Sequence, residues 1–370
     1  TASAAYWPLA ETAGRSRIHP KSRSPRSFGR RGGVVGNLPA PHGVCLGETV
    51  VTSTERLVDT NGVRLRVVEA GEPGAPVVVL AHGFPELAYS WRHQISALAE
   101  AGFHVLAPDQ RGYGGSTRPE AIEDYNIVAL CDDLTGLLDD AGAEKAVIVG
   151  HDWGAMVAWH MPLLHPDRVA AVVGMSVPPV PRPQAPPTQI WREQFGENFF
   201  YILYFQEPGI AEADLGRDTS ETMRRVFGGP RRPDATDAMA RMLAPGPAGW
   251  VERLPDPVAL ADWISSDEFK HYVAEFTRTG FTGGLNWYRN FDRNWELTAD
   301  VPATVITVPS LFITGSKDAV RTFTRADRAT EVVTGDYEEL VVDGAGHWIQ
   351  QERPDEVNEA LLKFLSGLEL

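Results

Sequence analysis

From about Thr54 onward, short β-branched, apolar runs alternate with longer segments whose apolar positions recur every three or four residues. This alternation limits the fold more than any other property of the chain. The runs fall at Val77 to Leu80, His104 to Ala107, Ala146 to Val149, Ala170 to Val173, Leu311 to Thr314 and Leu340 to Val342. They are nearly continuous in apolar residues rather than alternating, which is how parallel strands covered on both faces read. Between them, Trp91, Ile95, Leu98 and Ala99 follow helical spacing, as do Leu130, Leu134, Leu137 and Leu138, and Val357, Leu361, Phe364, Leu365 and Leu368. The last of these segments opens with Pro354, Asp355 and Glu356. A fixed φ and negative charge suit a helix N-terminus. Strand–helix alternation of this kind gives an α/β fold with a mostly parallel, doubly wound sheet.

The alternation stops after Ser176, where six prolines fall between Pro178 and Pro187, and resumes near Pro309. The intervening stretch is helical in pattern and rich in aromatic residues, among them Trp191, Phe195, Phe199, Phe200, Tyr201, Tyr204, Phe205, Trp250, Trp263, Trp287, Tyr288 and Trp295. An insertion after the sixth strand that returns to the same sheet is expected to cover the carboxyl ends of the strands, where such sheets bind ligands. The organisation expected is therefore a core over residues 51–177 and 306–370, with a helical lid over residues 178–305.

Residues 1–50 differ from the rest, being Arg- and Ser-rich and then Gly- and Pro-rich without apolar periodicity, and are expected to be disordered. They lack the apolar core of a signal peptide. An organelle transit peptide and a misplaced start are the alternative readings. The formal charge is −15 overall, yet this segment carries seven Lys/Arg against two acids, leaving −20 on the remainder. Such a body repels polyanions, so nucleic acid is not an expected partner. No apolar run reaches the roughly 18 to 20 residues of a membrane-spanning helix. With only Cys45 and Cys131 present, a disulfide framework is not expected, in keeping with a cytoplasmic location.

Chemistry concentrates in one place. The strand Ala146 to Val149 runs into Gly150-His151-Asp152-Trp153-Gly154 and then a helix bearing Met156, Val157, Met161 and Leu164. A sharp strand-to-helix turn needs small residues two positions either side of its centre, which then projects above the sheet as an exposed nucleophile. Here the centre is Asp152, facing a helix N-terminus that favours its anion. A carboxylate that attacks saturated carbon leaves an alkyl ester, which water can cleave at the acyl carbon; a serine would be left as an ether. Asp152 therefore points to epoxides or alkyl halides as substrates.

Two further strands supply partners. Leu311 to Thr314 leads to Asp318, and the last strand leads to His347, giving the order nucleophile, acid, histidine seen in one large class of hydrolases. His347 is the expected base and Asp318 its orienting partner, with Asp343 as the rival acid. His82-Gly83-Phe84-Pro85 follows the strand ending at Ala81, so the backbone N–H groups of Phe84 and Trp153 are placed to form an oxyanion hole. His82 and His151 read as structural.

Taken together, His82 to Pro85, Pro108 to Gly114, Gly150 to Gly154, Tyr201 to Gly209 and Asn286 to Asn290 resemble the epoxide hydrolases of the α/β-hydrolase superfamily, over about Thr54 to Leu368. The likeness is strongest to the hydrolase domain of the soluble mammalian form and to bacterial relatives. It implies an α/β-hydrolase fold, and that Tyr201 and Tyr288 are lid tyrosines holding the epoxide oxygen, with Tyr204 the alternative to Tyr201 by spacing. A phenol remains protonated at neutral pH and can donate to the alkoxide released on ring opening. Trp91, Phe84, Trp153, Phe199 and Trp287 are expected to line an apolar substrate site. A haloalkane dehalogenase with the same triad, or a catalytically silent ligand receptor, would share most of these features. Metal-ligand spacing and glycine-rich phosphate cradles are absent, so no metal or cofactor is expected. The expected partners are a small apolar epoxide and water, with oligomeric state left open.

Overall fold

Asn61 and Gly62 both adopt left-handed backbone conformations, φ 45° and 75°. Such a two-residue turn matches the twist of antiparallel strands. It joins β1 (Thr54–Thr60) and β2 (Val63–Ala70) into a hairpin at the edge of an eight-stranded sheet. The computed structural model describes residues 53–230, 238–301 and 303–370. The expectation for residues 1–50 lies outside these. The remaining strands are β3 (Val77–Ala81), β4 (His104–Pro108), β5 (Ala146–His151), β6 (Val169–Met175), β7 (Ser310–Gly315) and β8 (Tyr337–Val342). Their spatial order is β1-β2-β4-β3-β5-β6-β7-β8. All neighbours from β4 to β8 run parallel, while β2 pairs antiparallel with both β1 and β4.

The alternation of side chains along each strand divides the interior in two. Val78 and Leu80 of β3 face one way with Val147 and Val149 of β5, against the helix α1 (Arg92–Glu100) and the C-terminal helix Pro354–Ser366. Val77 and Val79 face the other way with Ile148, against α2 (Ile127–Asp140) and α3 (Trp153–Leu164). Burying an Ile, Leu or Val side chain stabilises by about 1.5 to 3 kcal/mol, so these two layers supply the main driving force of the fold. Trp91 belongs to the first layer, fully buried beside Leu80, Ile95 and Leu98.

Between β6 and β7 the described residues form helices and no strand, from Pro187–Phe195 through Ser266–Thr279 and Thr282–Arg289 to Phe291–Leu297. Their apolar faces join the α2 and α3 layer through Phe200, Phe205, Trp250, Tyr272, Phe276, Phe281 and Trp287. Among the described residues no helix is long and apolar enough to cross a membrane.

Candidate active site

At the end of β5 the chain reverses into α3 through Asp152, whose φ of 52° and ψ of −116° no ordinary residue adopts without strain. The turn closes because its flanks are glycine. A Cβ on Gly150 would stand 2.0 Å from the Gly154 carbonyl oxygen, and one on Gly154 would stand 1.9 Å from that of Ala81. The Asp152 side chain is thereby held toward the loop after β3, where Oδ1 accepts the Phe84 N–H at 2.9 Å. Burial raises the Asp152 carboxyl above its usual range, opposed by the charges of His347 and His151 and by hydrogen bonds from the Phe84 and Trp153 N–H groups. The two N–H groups named from the sequence thus converge on one carboxylate.

The loops after β7 and β8 bring the other two members of the set. His347 Nδ1 lies 3.2 and 3.1 Å from the two Asp318 carboxylate oxygens, and Nε2 lies 3.7 Å from Asp152 Oδ2. Asp318 also accepts the Val320 N–H at 2.9 Å. Burial pulls the His347 imidazole down, but Asp318, Asp152 and Glu86 outweigh it and push it up to about 9. Burial likewise disfavours the Asp318 anion, yet His347 holds its carboxyl below the usual value. Asp343 is turned elsewhere, accepting from Ser316 Oγ at 3.0 Å.

Beneath this set lies a charge that the sequence reading did not single out. Glu86 and His151 are both fully buried, with His151 Nδ1 at 2.6 Å from Glu86 Oε2 and His151 Nε2 at 2.7 Å from the His347 carbonyl oxygen. Both neighbours are acceptors, a carboxylate at one ring nitrogen and a main-chain carbonyl at the other. Glu86 also accepts from the Gly83 N–H (2.8 Å) and the side-chain amides of Gln350 (2.8 Å) and Gln351 (3.3 Å). Burial alone would raise its carboxyl; the His151 charge and hydrogen bonding hold it down at about 2. The signal in the sequence was an acidic residue in a loop otherwise occupied by Phe84, Pro85 and Leu87.

The inserted segment contributes a cluster of rings. Tyr201 and Tyr288 lie 6.0 Å apart between centroids, and Tyr288 stands edge-on to Phe84 (5.4 Å), Trp153 (5.1 Å) and Phe205 (5.1 Å). Burial, then the Asp152 charge, raises both phenols, while a hydrogen bond from the Trp153 side chain moderates Tyr288. Tyr204 turns away, hydrogen-bonded to Asp214, with its phenol pushed up to about 12 by burial and that carboxylate. Of the residues expected to line the site, Phe84 and Trp153 are in the cluster; Trp287 backs it, edge-on to Trp153 at 5.8 Å with its indole N–H donated to the Arg111 carbonyl. Phe199 does not join: its ring contacts are Tyr204 and the Arg253 guanidinium. Trp91 is corrected outright, because it is packed into the opposite face of the sheet. In their place the structure brings Phe205 and Trp250, whose rings lie 6.0 and 6.4 Å from Phe84.

Comparison with known proteins agrees with this geometry. Residues 76–354 match the family model for the alpha/beta hydrolase fold. The chain is 72% identical over 317 residues to "Epoxide hydrolase A" of Mycobacterium tuberculosis (strain ATCC 25618 / H37Rv), covering 86% of this chain and 98% of that one. It is 40% identical over 305 residues to "Bifunctional epoxide hydrolase 2" of Mus musculus, covering 82% of this chain and 54% of the longer mouse protein. Among solved structures, epoxide hydrolase A from Mycobacterium thermoresistibile superposes with a TM-score of 0.83 at 64% identity, covering 86% of this chain and 100% of that one. A strained aspartate at a strand-to-helix turn, a histidine and second aspartate from the following strands, and this degree of likeness place the chain in the epoxide hydrolase family of the α/β-hydrolase fold.

Proposed function

We propose that the protein hydrolyses small apolar epoxides to vicinal diols through a covalent alkyl ester on Asp152. The observation that carries this reading is the division of labour between the two oxygens of that carboxylate. Oδ1 is engaged by the Phe84 N–H, whereas Oδ2 faces His347 at 3.7 Å. Oδ2 is thus the attacking atom. It forms a bond to an epoxide carbon as the ring C–O bond breaks, and the alkoxide takes a proton from Tyr201 or Tyr288. Oδ1 becomes the ester carbonyl, already beside the N–H pair. Water then gives a proton to His347 and its hydroxyl adds to the Asp152 acyl carbon; the oxyanion at Oδ1 is stabilised by Phe84 and Trp153, the bond between the acyl carbon and Oδ2 breaks, and the departing alkoxide takes the remaining proton of the added hydroxyl, which frees the diol and restores the Asp152 carboxylate. The histidine proton returns to the phenolate. The helical segment between β6 and β7 serves as the lid, and Phe84, Trp153, Phe205 and Trp250 give the site its apolar lining.

Dehalogenation with the same triad is not favoured, since the Trp153 side chain, a natural halide donor, hydrogen-bonds Tyr288. The reading is tested with His347→Gln. Mixed with styrene oxide, it should accumulate one added substrate mass on the peptide containing Asp152 and release no diol. In a single turnover in ¹⁸O water, the unsubstituted enzyme should give diol whose new oxygen comes from the protein. An unmodified His347→Gln enzyme together with immediate solvent label would replace the covalent route with direct attack by water.

A further inference from the structure

Beyond the catalytic set, a phenol ties the inserted segment to both catalytic loops. Tyr272 lies on the helix Ser266–Thr279 and is fully buried, packed edge-on against Phe227 at 4.8 Å and Tyr89 at 5.9 Å. Its hydroxyl lies 2.7 Å from Ser90 Oγ and 3.1 Å from Gln351 Oε1. The phenol has one hydrogen. The Gln351 carbonyl can only accept, so Tyr272 donates to Gln351 and accepts from Ser90. Gln351 Oε1 also accepts from Arg92 at 2.7 Å, and its amide donates to Glu86 at 3.3 Å. Arg92 in turn pairs with Glu268, one turn before Tyr272 on the same helix, at 2.6 Å.

Ser90 belongs to the loop that begins with Gly83 and Phe84, and Gln351 belongs to the short helix Ile349–Glu352 directly after His347. We propose that Tyr272 is a positioning residue for the hydrolytic half-reaction, tying the Phe84 loop to the His347 loop so that docking of the inserted helix sets how His347 addresses the ester. The argument is geometric. The His347 main chain is held by His151 at its carbonyl, His151 by Glu86, and Glu86 by Gln351, whose amide plane is fixed by Tyr272 and Arg92. A rotation of the Gln351 amide reaches His347 through three successive hydrogen bonds, two of them buried, in a region where such bonds are stronger than in water. The Asp152 attack does not use this route, because it needs no base.

The inference rests on the roles proposed for Asp152 and His347, and its test separates the two. Tyr272→Phe is compared with the unsubstituted chain by rapid-quench mass spectrometry with styrene oxide, following the Asp152 adduct as it forms and decays. The expected result is formation within about twofold and decay slower by about three- to tenfold, the range one net hydrogen bond carries. Ser90→Ala, which removes the donor to Tyr272 but leaves Gln351 in place, should slow decay less. Adduct decay unchanged, or formation and decay slowed by the same factor at equal folded fraction in circular dichroism, would reduce Tyr272 to a packing residue. Should Tyr272→Phe not fold, Gln351→Asn withdraws the same amide and carries the same expectations. A missing adduct in His347→Gln would instead remove the covalent reading itself, whatever Tyr272 does.

Discussion

The turns at the carboxyl ends of the strands and the inserted helical segment meet at one site but are held in different ways. Asp152, His347, Asp318 and Glu86 stand on turns of the sheet and are fixed by directional hydrogen bonds of 2.6 to 3.2 Å, many of them to backbone. Tyr201 and Tyr288 are held mainly by ring packing, with neighbouring centroids 5.1 to 6.1 Å away, Tyr288 also accepting from the Trp153 side chain, and among the described residues neither hydroxyl has a carboxylate partner. An aromatic pair contributes about 0.5 to 1.5 kcal/mol and tolerates small displacements, whereas a buried hydrogen bond does not. In the proposed mechanism, attack at carbon and base catalysis demand tight geometry, whereas donation to a developing alkoxide can follow a substrate that shifts. On that reading each task falls on the region suited to it.

The largest effect should come from removing the part supplied by the inserted segment while leaving the sheet intact. Tyr201→Phe and Tyr288→Phe should each slow ring opening by about a hundredfold, and the double substitution by about ten-thousandfold, with little change in melting temperature. Stopped-flow measurement of adduct formation reads this directly. Full epoxide turnover by the double variant would take the phenols out of the mechanism and erase the contrast between the two regions.

A smaller effect, on stability rather than on ring opening, is expected from the sheet side. Glu86→Gln keeps shape but removes the carboxylate 2.6 Å from His151 Nδ1, and breaking a buried pair in this way costs about 3 to 5 kcal/mol. Urea denaturation followed by circular dichroism should show the loss, with the slope against denaturant unchanged. A midpoint within experimental error of the unsubstituted chain would mean that the contact between this carboxylate and His151 contributes little to folding. The same replacement at Glu212, which pairs with Arg289 at the edge of the inserted segment, should cost much less because that pair is partly exposed to solvent.

The sheet was legible in the sequence because strands covered on both faces must be continuously apolar, and the elbow was legible because few residues other than glycine fit beside Asp152. The hairpin of β1 and β2 was passed over although Asn61-Gly62 announces it, since its strands alternate and lack a long apolar run. Lining residues were harder. Trp91 and Phe199 share the aromatic character of Phe205 and Trp250, and only the packing of each segment decides which rings turn toward Asp152. Trp91 lies one helical turn before Ile95 and Leu98, and in the structure it shares their buried face. Glu86 was missed because its meaning depends on His151, 65 residues away, and no local pattern links them.

The smallest expected effect sharpens the comparison within the sheet region itself. His347 is pushed up to about 9 by Asp318, Asp152 and Glu86, which favours the imidazolium in the resting site, whereas the proposed ester hydrolysis needs the ring neutral. The conflict resolves if the charge of Asp152 is part of what holds the proton. In the proposed mechanism esterification consumes that charge, the imidazolium loses a partner 3.7 Å away, and its hold on the proton weakens, so the ring gives the proton up and stands neutral when water has to be activated. Asp152→Ala imitates the loss of charge. The His347 titration, followed by NMR of the ring protons, should fall by about one unit, and Asp318→Asn should lower it further because Asp318 is the larger cause. The sign for stability follows. A folded-state value raised above the unfolded value of about 6.5 contributes fully below pH ~6.5 and is lost as pH climbs toward 9, so Asp152→Ala should narrow that window from its upper end. Denaturation midpoints between pH 6 and pH 9.5 should therefore converge for the two chains at the alkaline end, apart from a constant offset. An unmoved His347 titration in Asp152→Ala would show that Asp318 and Glu86 alone hold the proton, and that the nucleophile and the base do not communicate through charge.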